Sequence, residues 1–576
     1  MELREQTAPI RADVLIIGGG VGGLQAAIEA ADAGASVIVL EKADSRRSGN
    51  GATGNDHYAC YLPEVHGPDF QACVDQVLDT LIGPNQDRVM LEKLLWRSRE
   101  IVEKWQGYGI DMKPYGPDYI WEGHTLPGRQ HFHLKYDGSN QKPALTRAAL
   151  ARGARIRNHT TVIDLITDAE GRFAGAVGVD TSEDEPVLLT FEAKAAVIAT
   201  GRIVRAFPSS TPQALFNLAS CPACGASIAM AYRAGARLVN LDLVGTHAGP
   251  KYFERGGKAT WIGVVSDAAG ESVGPYVKRA VRKLGDPFAD VYTGVFADRM
   301  KTGQGPTYMD CRTLSEEDLA YMRHCFVTEG DTSINDYLDT HGIDLRRSMV
   351  EFGTYGAGLS GGGLDIGLDA GTTLPGLFAA GNACGNARGD ITCASVYGMI
   401  AGESAAAWAA GRGFAVERDE RPVVRARALC QAFLTRGEGA TWQGLNAGIQ
   451  NIMRDYAGAE VRTDSLLTAG LRYLRQLRAT ALEELSCANA HELMRTLETL
   501  DVLDYCEATV LCARNRRETR GGHKRPDYPY TNVLLNGCFQ TIERMPRGGV
   551  RMRFRKSVNR LDDPGAAQLP FIEQVP

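Results

Sequence analysis

The sequence predicts an α/β protein built on a doubly wound sheet, with a region of helices late in the chain. The segment ADVLIIGGGVGGLQAAIEAADAGASVIVLEKA, which begins at Ala12, alternates an apolar strand, a glycine turn, an alanine-rich helix and a second apolar strand. Two further apolar strands, AKAAVIATGR from Ala193 and TTLPGLFAAGNACG from Thr372, each end in a glycine turn. From about residue 421 to Ala513 the apolar residues recur at helical spacing. Strands alternating with helices favour a parallel sheet.

The first glycine turn has the residue types that bind a diphosphate. Gly18 allows the tight turn, Gly20 lets the backbone approach a pyrophosphate, and Gly23 lets helix and strand pack closely. The N-terminus of the following helix offers free N–H groups and a positive dipole end. Glu41 ends the second strand, eighteen residues after Gly23, where a carboxylate can accept bonds from ribose hydroxyls. The segment therefore predicts a dinucleotide site.

The two later strands favour FAD over NAD. Their endings, Ala199-Thr200-Gly201 and Gly-Leu-Phe-Ala-Ala-Gly-Asn, resemble strands that cover the nucleotide and reach the ribityl chain in flavoproteins of the glutathione-reductase-like class. Asn382 stands where those proteins carry an acid, and its amide oxygen still accepts a hydroxyl bond. The strand ARIRNHTTVIDLI, which contains Val162, is expected to pass near the adenine.

Size and composition limit the function classes. A chain of 576 residues with 44% hydrophobic and 23% charged residues predicts several globular units with large cores. The net charge of -6 gives no argument for nucleic acid or a membrane surface. No signal peptide and no run of about 18 apolar residues is evident, so a cytoplasmic location is expected. The 13 cysteines fit buried thiols; the pair Cys221 and Cys224 is weak evidence for metal, and no metal site is predicted.

Three more motifs point to one family. They are RRSGNGATGN from Arg46, LVGTHAGP from Leu243 and RRETRGGHKRPDYP from Arg516. In this order the chain resembles the flavoprotein subunits of the fumarate reductase/succinate dehydrogenase superfamily. GSNQKP, GQGPTYMD and the ten residues from Arg388 to Gly398 are similar in detail to the adenylylsulfate reductase alpha subunit.

The resemblance implies an architecture. It consists of an FAD-binding domain over 1–244 and 353–420, an inserted α+β capping domain over 245–352, a helical domain over 421–520 and a C-terminal arm over 521–576. The tail segment GGVRMRFRKSVNR is expected to form an irregular arm or an edge strand that docks on a neighbour.

The resemblance also implies how FAD is held. The covalent histidine of the respiratory enzymes is absent from the Ser48-Gly49 region, so noncovalent FAD is expected. The residues expected to bind FAD are Gly18, Gly20, Gly22, Gly23, Glu41, Lys42, Ser48, Gly49, Thr53, Gly54, Val162, Ala199, Thr200, Gly201, Gly381, Asn382, Ser395 and Val396.

The resemblance implies a partly altered catalytic site. Arg388 matches the arginine after the flavin-binding glycine turn, and His247 matches the histidine of the family's His-Pro-Thr-Gly. Ala289 and Gly358 stand where a cationic arginine and histidine are expected, which disfavours succinate or fumarate. Arg388 is expected to hold an anionic substrate, or else to pair with Asp390. His247 is expected to act either as an anion donor or acid/base or as a structural residue.

Two further features stand near this site. Tyr355 is a candidate proton donor by position alone. Lys251, Arg255 and Lys258 face either the cleft or solvent.

The predicted function is two-electron transfer between flavin N5 and a small anionic substrate. The resemblance to adenylylsulfate reductase implies that the electrons are exchanged with an iron–sulfur, ferredoxin-like partner. One alternative is a stand-alone enoate reductase or dehydrogenase acting on an organic acid. Another is a flavin-bearing assembly subunit whose active site has decayed.

Overall fold

The structure is a computed structural model. It describes residues 1–52, 54–78, 86–122, 129–208, 224–243, 247–251, 260–274, 277–282, 294–329, 332–355, 362–387, 389–458, 461–546, 548–557 and 571–572. For residues 247–248, 294, 297, 354–355 and 571–572 the description covers the backbone only.

The described strands are β1 Arg4–Glu5, β2 Ile10–Ile17, β3 Val37–Leu40, β4 His57–Ala59, β5 Ile120–Trp121, β6 His133–Lys135, β7 Arg155–Arg157, β8 Thr160–Thr167, β9 Phe173–Asp180, β10 Val187–Ile198, β11 Leu238–Val239, β12 His247–Pro250, β13 Val264–Ser266, β14 Thr307–Asp310, β15 Val350–Tyr355, β16 Gly363–Leu364, β17 Leu377–Ala379, β18 Cys538–Arg544, β19 Val550–Lys556 and β20 Phe571–Ile572.

The described α-helices are α1 Val21–Asp32, α2 Pro63–His66, α3 Phe70–Leu78, α4 Arg88–Gly107, α5 Gln141–Ala151, α6 Ala226–Arg233, α7 Gly294–Lys301, α8 Glu316–Thr328, α9 Thr332–Thr340, α10 Ile391–Ala409, α11 Arg421–Thr435, α12 Trp442–Ala457, α13 Asp464–Glu484 and α14 Ala490–Asn515. Short 3₁₀ helices cover Gly381–Ala383 and Val533–Leu535. Within the described ranges, none of the helices has the length and apolar content needed to cross a membrane.

The largest sheet is the predicted doubly wound one. Its strands run in the order β7-β3-β2-β10-β9-β8, and β1 and β17 also pair with β10. Strands β2, β3, β10 and β17 are parallel, and β3 is buried at every position. A continuous apolar strand such as VIVL is typical of a parallel sheet that is covered on both faces. The predicted unit of strand, glycine turn, helix and strand is confirmed by β2, α1 and β3.

Helices α1 and α10 pack against each other through glycines. A Cβ atom on Gly398 would lie 2.5 Å from the carbonyl oxygen of Gly22, and one on Gly402 would lie 2.3 Å from that of Ala26. A Cβ on Gly22 would in turn lie 2.9 Å from the carbonyl oxygen of Ala394. The missing side chains let the two helix backbones approach closely, which places the N-termini of both helices near the same edge of the sheet.

The region inserted between the two parts of the main sheet has a core of its own. Its four strands run in the order β12-β15-β14-β13. A separate apolar cluster fills this region, and its aromatic members are Trp261, Phe296, Phe326 and Phe352. This arrangement has the α+β character that the sequence predicts for an inserted cap.

The C-terminal region begins as predicted and then departs from the prediction. Helices follow from Arg421, and α12, α13 and α14 are each capped by a side chain, from Thr441, Thr463 and Asn489. The tail, however, contributes the strands β18, β19 and β20 to a five-stranded sheet in the order β16-β11-β18-β19-β20, in which β16 and β11 come from earlier in the chain. GGVRMRFRKSVNR supplies β19, which pairs with β18 and β20 of the same chain. The expectation of an irregular arm or an edge strand that docks on a neighbour is therefore wrong for β19, because this strand is paired on both sides by strands of its own chain.

Candidate functional site

The candidate site lies where four parallel strands end together. Ile198 at the end of β10 pairs in register with Ile17 of β2 and Ala379 of β17, and Ile17 pairs with Leu40 of β3. The residues that follow these strands include predicted cofactor residues from distant parts of the sequence. Ligands of open α/β sheets bind at this carboxyl edge.

The first glycine turn is shaped by close backbone contacts. Gly18 has a φ of +102°, and a Cβ there would lie 2.7 Å from the carbonyl oxygen of Ala199. A Cβ on Gly23 would lie 1.9 Å from the carbonyl oxygen of Gly18. Gly20 precedes α1 as its N-cap and supplies no capping side chain. The first N–H groups of α1 are thus suited to a phosphate.

Glu41 is buried at this edge, and its carboxylate has protein partners. One oxygen accepts a 2.8 Å bond from the N–H of Gly19, and the other accepts a 2.8 Å bond from the N–H of Ala43. Each carboxylate oxygen has a second lone pair. The carboxylate therefore both fixes the glycine turn and retains acceptor capacity for ribose hydroxyls, so its predicted role stays a prediction.

Lys42 makes contacts that the sequence did not indicate. Its ammonium pairs with Glu498 of α14 and lies 3.5 Å from the sulfur of Cys224. Glu498 also accepts from Arg495 at 2.9 Å and from Arg205 at 3.5 Å. Burial raises the pKa of Glu498, but Lys42 and the two arginines outweigh it and lower the pKa to about 2. Lys42 thus ties the adenosine end of the predicted site to the helical region, and its contact with FAD stays a prediction.

Two buried acceptors fit a cofactor rich in hydroxyl groups. The side-chain oxygen of Asn382 and the hydroxyl of Ser48 are buried and have no hydrogen-bond partner among the described residues. Buried polar atoms are nearly always hydrogen-bonded in native proteins. Because both residues are predicted to bind FAD, the structure supplies two polar groups that the flavin cofactor would satisfy.

The other predicted FAD residues lie beside the first glycine turn, beside the inserted region, or in and after strands of the main sheet. Gly49 lies against Gly20, since a Cβ on Gly49 would be 3.6 Å from the Cα of Gly20. Gly54 has a φ of +130°. A Cβ on Gly54 would lie 2.3 Å from the carbonyl oxygen of Thr328 at the end of α8. Val162 is buried in β8, and Gly201 follows β10. Thr53 lies outside the described residues.

The N-terminus of α10 also reaches this edge. Asp390 caps the helix by accepting from the N–H of Cys393 at 2.8 Å. Thr392 is fully buried, and its hydroxyl has no partner among the described residues. Ser395 contacts the hydroxyl of Tyr58 at 2.9 Å, and Val396 is fully buried. A helix N-terminus in this position favours negative charge near it.

The three predicted catalytic residues can be located only in part. Arg388 lies outside the described residues, as do Arg255, Lys258, Ala289 and Gly358. The backbones of His247 and Tyr355 are register partners on the antiparallel strands β12 and β15. The sheet therefore brings these two positions together, although the sequence separates them widely.

The ion pair of Lys251 favours a structural reading of that residue. Its ammonium is 2.7 Å from the carboxylate of Glu351.

Two cations near the site, the partly buried Arg202 and the fully buried Lys142, were missed by the sequence analysis. Arg202 donates to the carbonyl oxygen of Gly389 at 3.1 Å, and burial lowers the pKa of Arg202 to about 10. Lys142 is fully buried at the start of α5 and donates to the carbonyl oxygen of Gly19. The signal for Arg202 was its position directly after the Thr200-Gly201 turn. Lys142 stands within GSNQKP, which gave a resemblance but no role.

The glycine turn, the helix N-terminus behind it and the buried carboxylate of Glu41 at this edge are features of a dinucleotide-binding α/β protein. Residues 13–405 match the FAD binding domain family, and residues 446–542 match the fumarate reductase flavoprotein C-terminal family. The chain belongs to the fumarate reductase/succinate dehydrogenase flavoprotein family and is an FAD-dependent oxidoreductase.

Relatives and solved structures agree over nearly the whole chain. L-aspartate oxidase of Streptomyces coelicolor is 28% identical over 90% of this chain and 89% of its own length. The fumarate reductase flavoprotein subunit of Mycobacterium tuberculosis is 26% identical over 90% of this chain and 92% of its own length. Adenylylsulfate reductase from Archaeoglobus fulgidus has the same fold, with a TM-score of 0.81, 21% identity and 97% of both chains covered. Escherichia coli quinol fumarate reductase gives a TM-score of 0.79 with 20% identity and 98% of both chains covered.

Proposed function

We propose that this chain catalyses the two-electron oxidation or reduction of a small anionic substrate at noncovalent FAD. The observation that carries the proposal is the N-terminus of α10, which Asp390 caps, with the guanidinium of Arg202 beside it. The dipole of this 19-residue helix and the guanidinium of Arg202 lie at the same short segment, since Arg202 bonds to Gly389 directly before the N-cap. An anion in such a place is stabilised by fixed charges that need no reorganisation.

Different residues of the chain are proposed to bind the substrate, to transfer protons and to hold the cofactor. Bound FAD would supply hydride transfer at its N5 atom. Arg202 donates to the carbonyl oxygen of Gly389, the residue that follows Arg388 in the sequence. Arg388 is proposed to hold the substrate anion, and His247 and Tyr355 are proposed as proton carriers on neighbouring strands. The buried Asn382 and Ser48 acceptors are proposed to bind cofactor hydroxyls.

An iron–sulfur electron partner is part of the proposal. Relatives named as subunits support it, namely the fumarate reductase flavoprotein subunits of Mycobacterium tuberculosis and Haemophilus influenzae. The cysteines of this sequence show none of the usual iron–sulfur spacings, so the proposed cluster would belong to a separate carrier.

A second candidate is a stand-alone dehydrogenase or enoate reductase acting on an organic acid. The names L-aspartate oxidase and fumarate reductase among the relatives favour this class of substrate. A solved neighbour of the same fold is adenylylsulfate reductase with covalently bound sulfite, which favours an oxyanion of sulfur instead. Both candidates need a cationic site at the flavin.

The experiment that decides is an anaerobic absorbance titration of the purified flavoprotein with sulfite, with AMP plus sulfite, and with small carboxylic acids. If sulfite alone bleaches the flavin absorbance and AMP plus sulfite gives catalytic turnover, the result supports the sulfur-oxyanion substrate. Reduction by a carboxylic acid, with no effect of AMP, supports the organic acid. Arg388→Lys, which keeps the charge, serves as the matched control for Arg388→Ala. A flavin that none of these compounds reduces or perturbs, although dithionite reduces it, contradicts the proposal and supports a decayed subunit.

A further inference from the structure

A buried lysine outside the predicted site is placed against the first glycine turn. Lys142 is the second residue of α5 and is fully buried. Its ammonium donates to the carbonyl oxygen of Gly19, between the glycines predicted to approach the diphosphate. The preceding residue, Gln141, is also fully buried and donates to the carbonyl oxygen of Gly51 at 2.9 Å. The first two residues of α5 therefore hydrogen-bond to both glycine-rich segments of the predicted cofactor site, the one around Gly19 and the one around Gly51.

The charge of Lys142 is not balanced by an ion pair within the described part of the chain. No carboxylate lies within ion-pair distance of it there, and its hydrogen bond goes to a neutral carbonyl. Glu41 and Asp44 are the charged groups that act on it, and they do so from a distance. Both also bond to other groups, Glu41 to the N–H groups of Gly19 and Ala43 and Asp44 to Arg46.

The position is unfavourable for a cation in the absence of a ligand. Burial lowers the pKa of Lys142 to about 8, although Glu41 and Asp44 oppose the effect. A cation in the first turn of a helix also opposes the helix dipole. A buried ammonium is costly unless an anion accompanies it. The diphosphate of FAD, expected at the adjoining N-terminus of α1, is such an anion.

We infer that Lys142 is a cofactor-binding residue whose ammonium balances the charge of the FAD diphosphate, and that FAD binding draws a proton from solvent onto it. The inference rests on the FAD family of the chain and not on the proposed substrate or partner. No bond between heavy atoms forms or breaks, and the proton comes from the buffer.

The first test is FAD affinity, measured by quenching of flavin fluorescence on titration of full-length apoprotein. Lys142→Met is expected to raise the Kd for FAD about 10- to 100-fold, the usual effect of losing a charged hydrogen bond. Lys142→Arg, which keeps the charge, is expected to raise it less than about fivefold. Lys104→Met is the matched control, because Lys104 is a partly buried lysine that already pairs with Glu29 at 2.7 Å. Its Kd should stay within about twofold of wild type.

The second test is proton uptake on FAD binding, measured by calorimetry in buffers of different ionisation enthalpy. With a starting pKa of about 8, the wild type should take up about a quarter of a proton at pH 7.5 and about three-quarters at pH 8.5. Lys142→Met should lose this uptake and Lys104→Met should keep it.

Either of two outcomes overturns the inference. One is an unchanged Kd in Lys142→Met. The other is wild-type uptake that is absent or equally present in Lys142→Met. If Lys142→Met fails to fold, wild-type uptake and the affinity of Lys142→Arg decide the matter. None of these readouts involves turnover, so the proposed substrate can fail without affecting them.

Discussion

Two lysines seven residues apart are buried to the same degree but differ in what surrounds them. Lys135 in β6 is 1% exposed, and its ammonium is 2.7 Å from the carboxylate of Asp56. Lys142 in α5 is 0% exposed and has only a carbonyl oxygen as its described partner. Burial disfavours both ammonium groups, yet Asp56 raises the pKa of Lys135 well above its usual value, while the pKa of Lys142 falls to about 8.

The difference separates buried charges whose counter-ion is supplied by the chain itself from buried charges whose counter-ion would be supplied by a ligand. A carboxylate oxygen of Asp56 also lies 2.6 Å from Nδ1 of His57. Lys135, Asp56 and His57 therefore form a buried polar network made by the chain itself. The group at Lys142 lies beside the predicted diphosphate site and has no such counter-ion in the described ranges. Substitution should therefore affect folding at Lys135 and cofactor affinity at Lys142.

The sharpest way to break the comparison is to remove the ammonium of Lys135. Lys135→Met should lower the free energy of unfolding by about 3–5 kcal/mol, because it leaves the Asp56 carboxylate buried without its cation. Urea unfolding of the apoprotein measures this, with Lys142→Met as control, which should cost less than about 1 kcal/mol. Equal losses in the two variants would contradict the distinction. Adding Asp56→Asn to Lys135→Met should recover part of the loss.

A third cation, Arg388, extends the comparison to the substrate. Arg388→Ala should leave FAD bound but lower turnover about a hundredfold or more, because a charged transition-state contact is lost. Steady-state kinetics together with the flavin content of the purified variant measure both effects. Turnover within a few-fold of wild type would remove Arg388 from the substrate site and favour its pairing with Asp390.

An intermediate case is a single arginine, Arg233, shared by the three carboxylates of Asp164, Asp501 and Asp504. Arg233 lies 2.5 Å from Asp501 and 2.8 Å from Asp504. Burial raises the pKa of Asp501 to about 7 despite Arg233. The folded state then holds a proton that the unfolded chain has released above pH ~4, so stability should fall as pH rises from about 4 to 7.

The slope from Asp501 should approach about 1.4 kcal/mol per pH unit. Urea unfolding at several pH values measures it, and Asp501→Asn should remove this part of the slope. An unchanged slope in the variant would mean that Asp501 is ionised across the whole range.

The smallest expected effect concerns a neutral group left for a ligand. Asn382→Ala should raise the Kd for FAD about 3- to 10-fold, because a neutral hydrogen bond to the cofactor is lost. Asn382→Asp keeps the acceptor and should bind FAD at least as tightly as wild type. The unfolding free energy of the apoprotein should change little in either variant. A loss of apoprotein stability without any change in affinity would instead make Asn382 a structural residue.

Much of the nucleotide half of the site could be predicted because its signals are local. The run from Ile10 to Leu40 contains the strand, turn and helix, and each is encoded by its own residues. The predicted strand ends at Ala199 and Gly381 also meet at one edge. The tail was mispredicted because β19 finds its partners in β18 and β20, and a basic, alternating strand does not reveal who its neighbours are.

The sequence by itself determined the fold class, the FAD family and the positions of the glycine turns, since these depend on short-range pattern and backbone sterics. Only the tertiary structure decided which buried charges have a counter-ion within the chain. Lys135 meets Asp56 across 79 residues of chain, and Lys142 meets Gly19 across 123. Whether a buried ammonium has an anion beside it depends on how distant strands and helices are packed, and that packing is what separates a structural ion pair from a charge awaiting its cofactor.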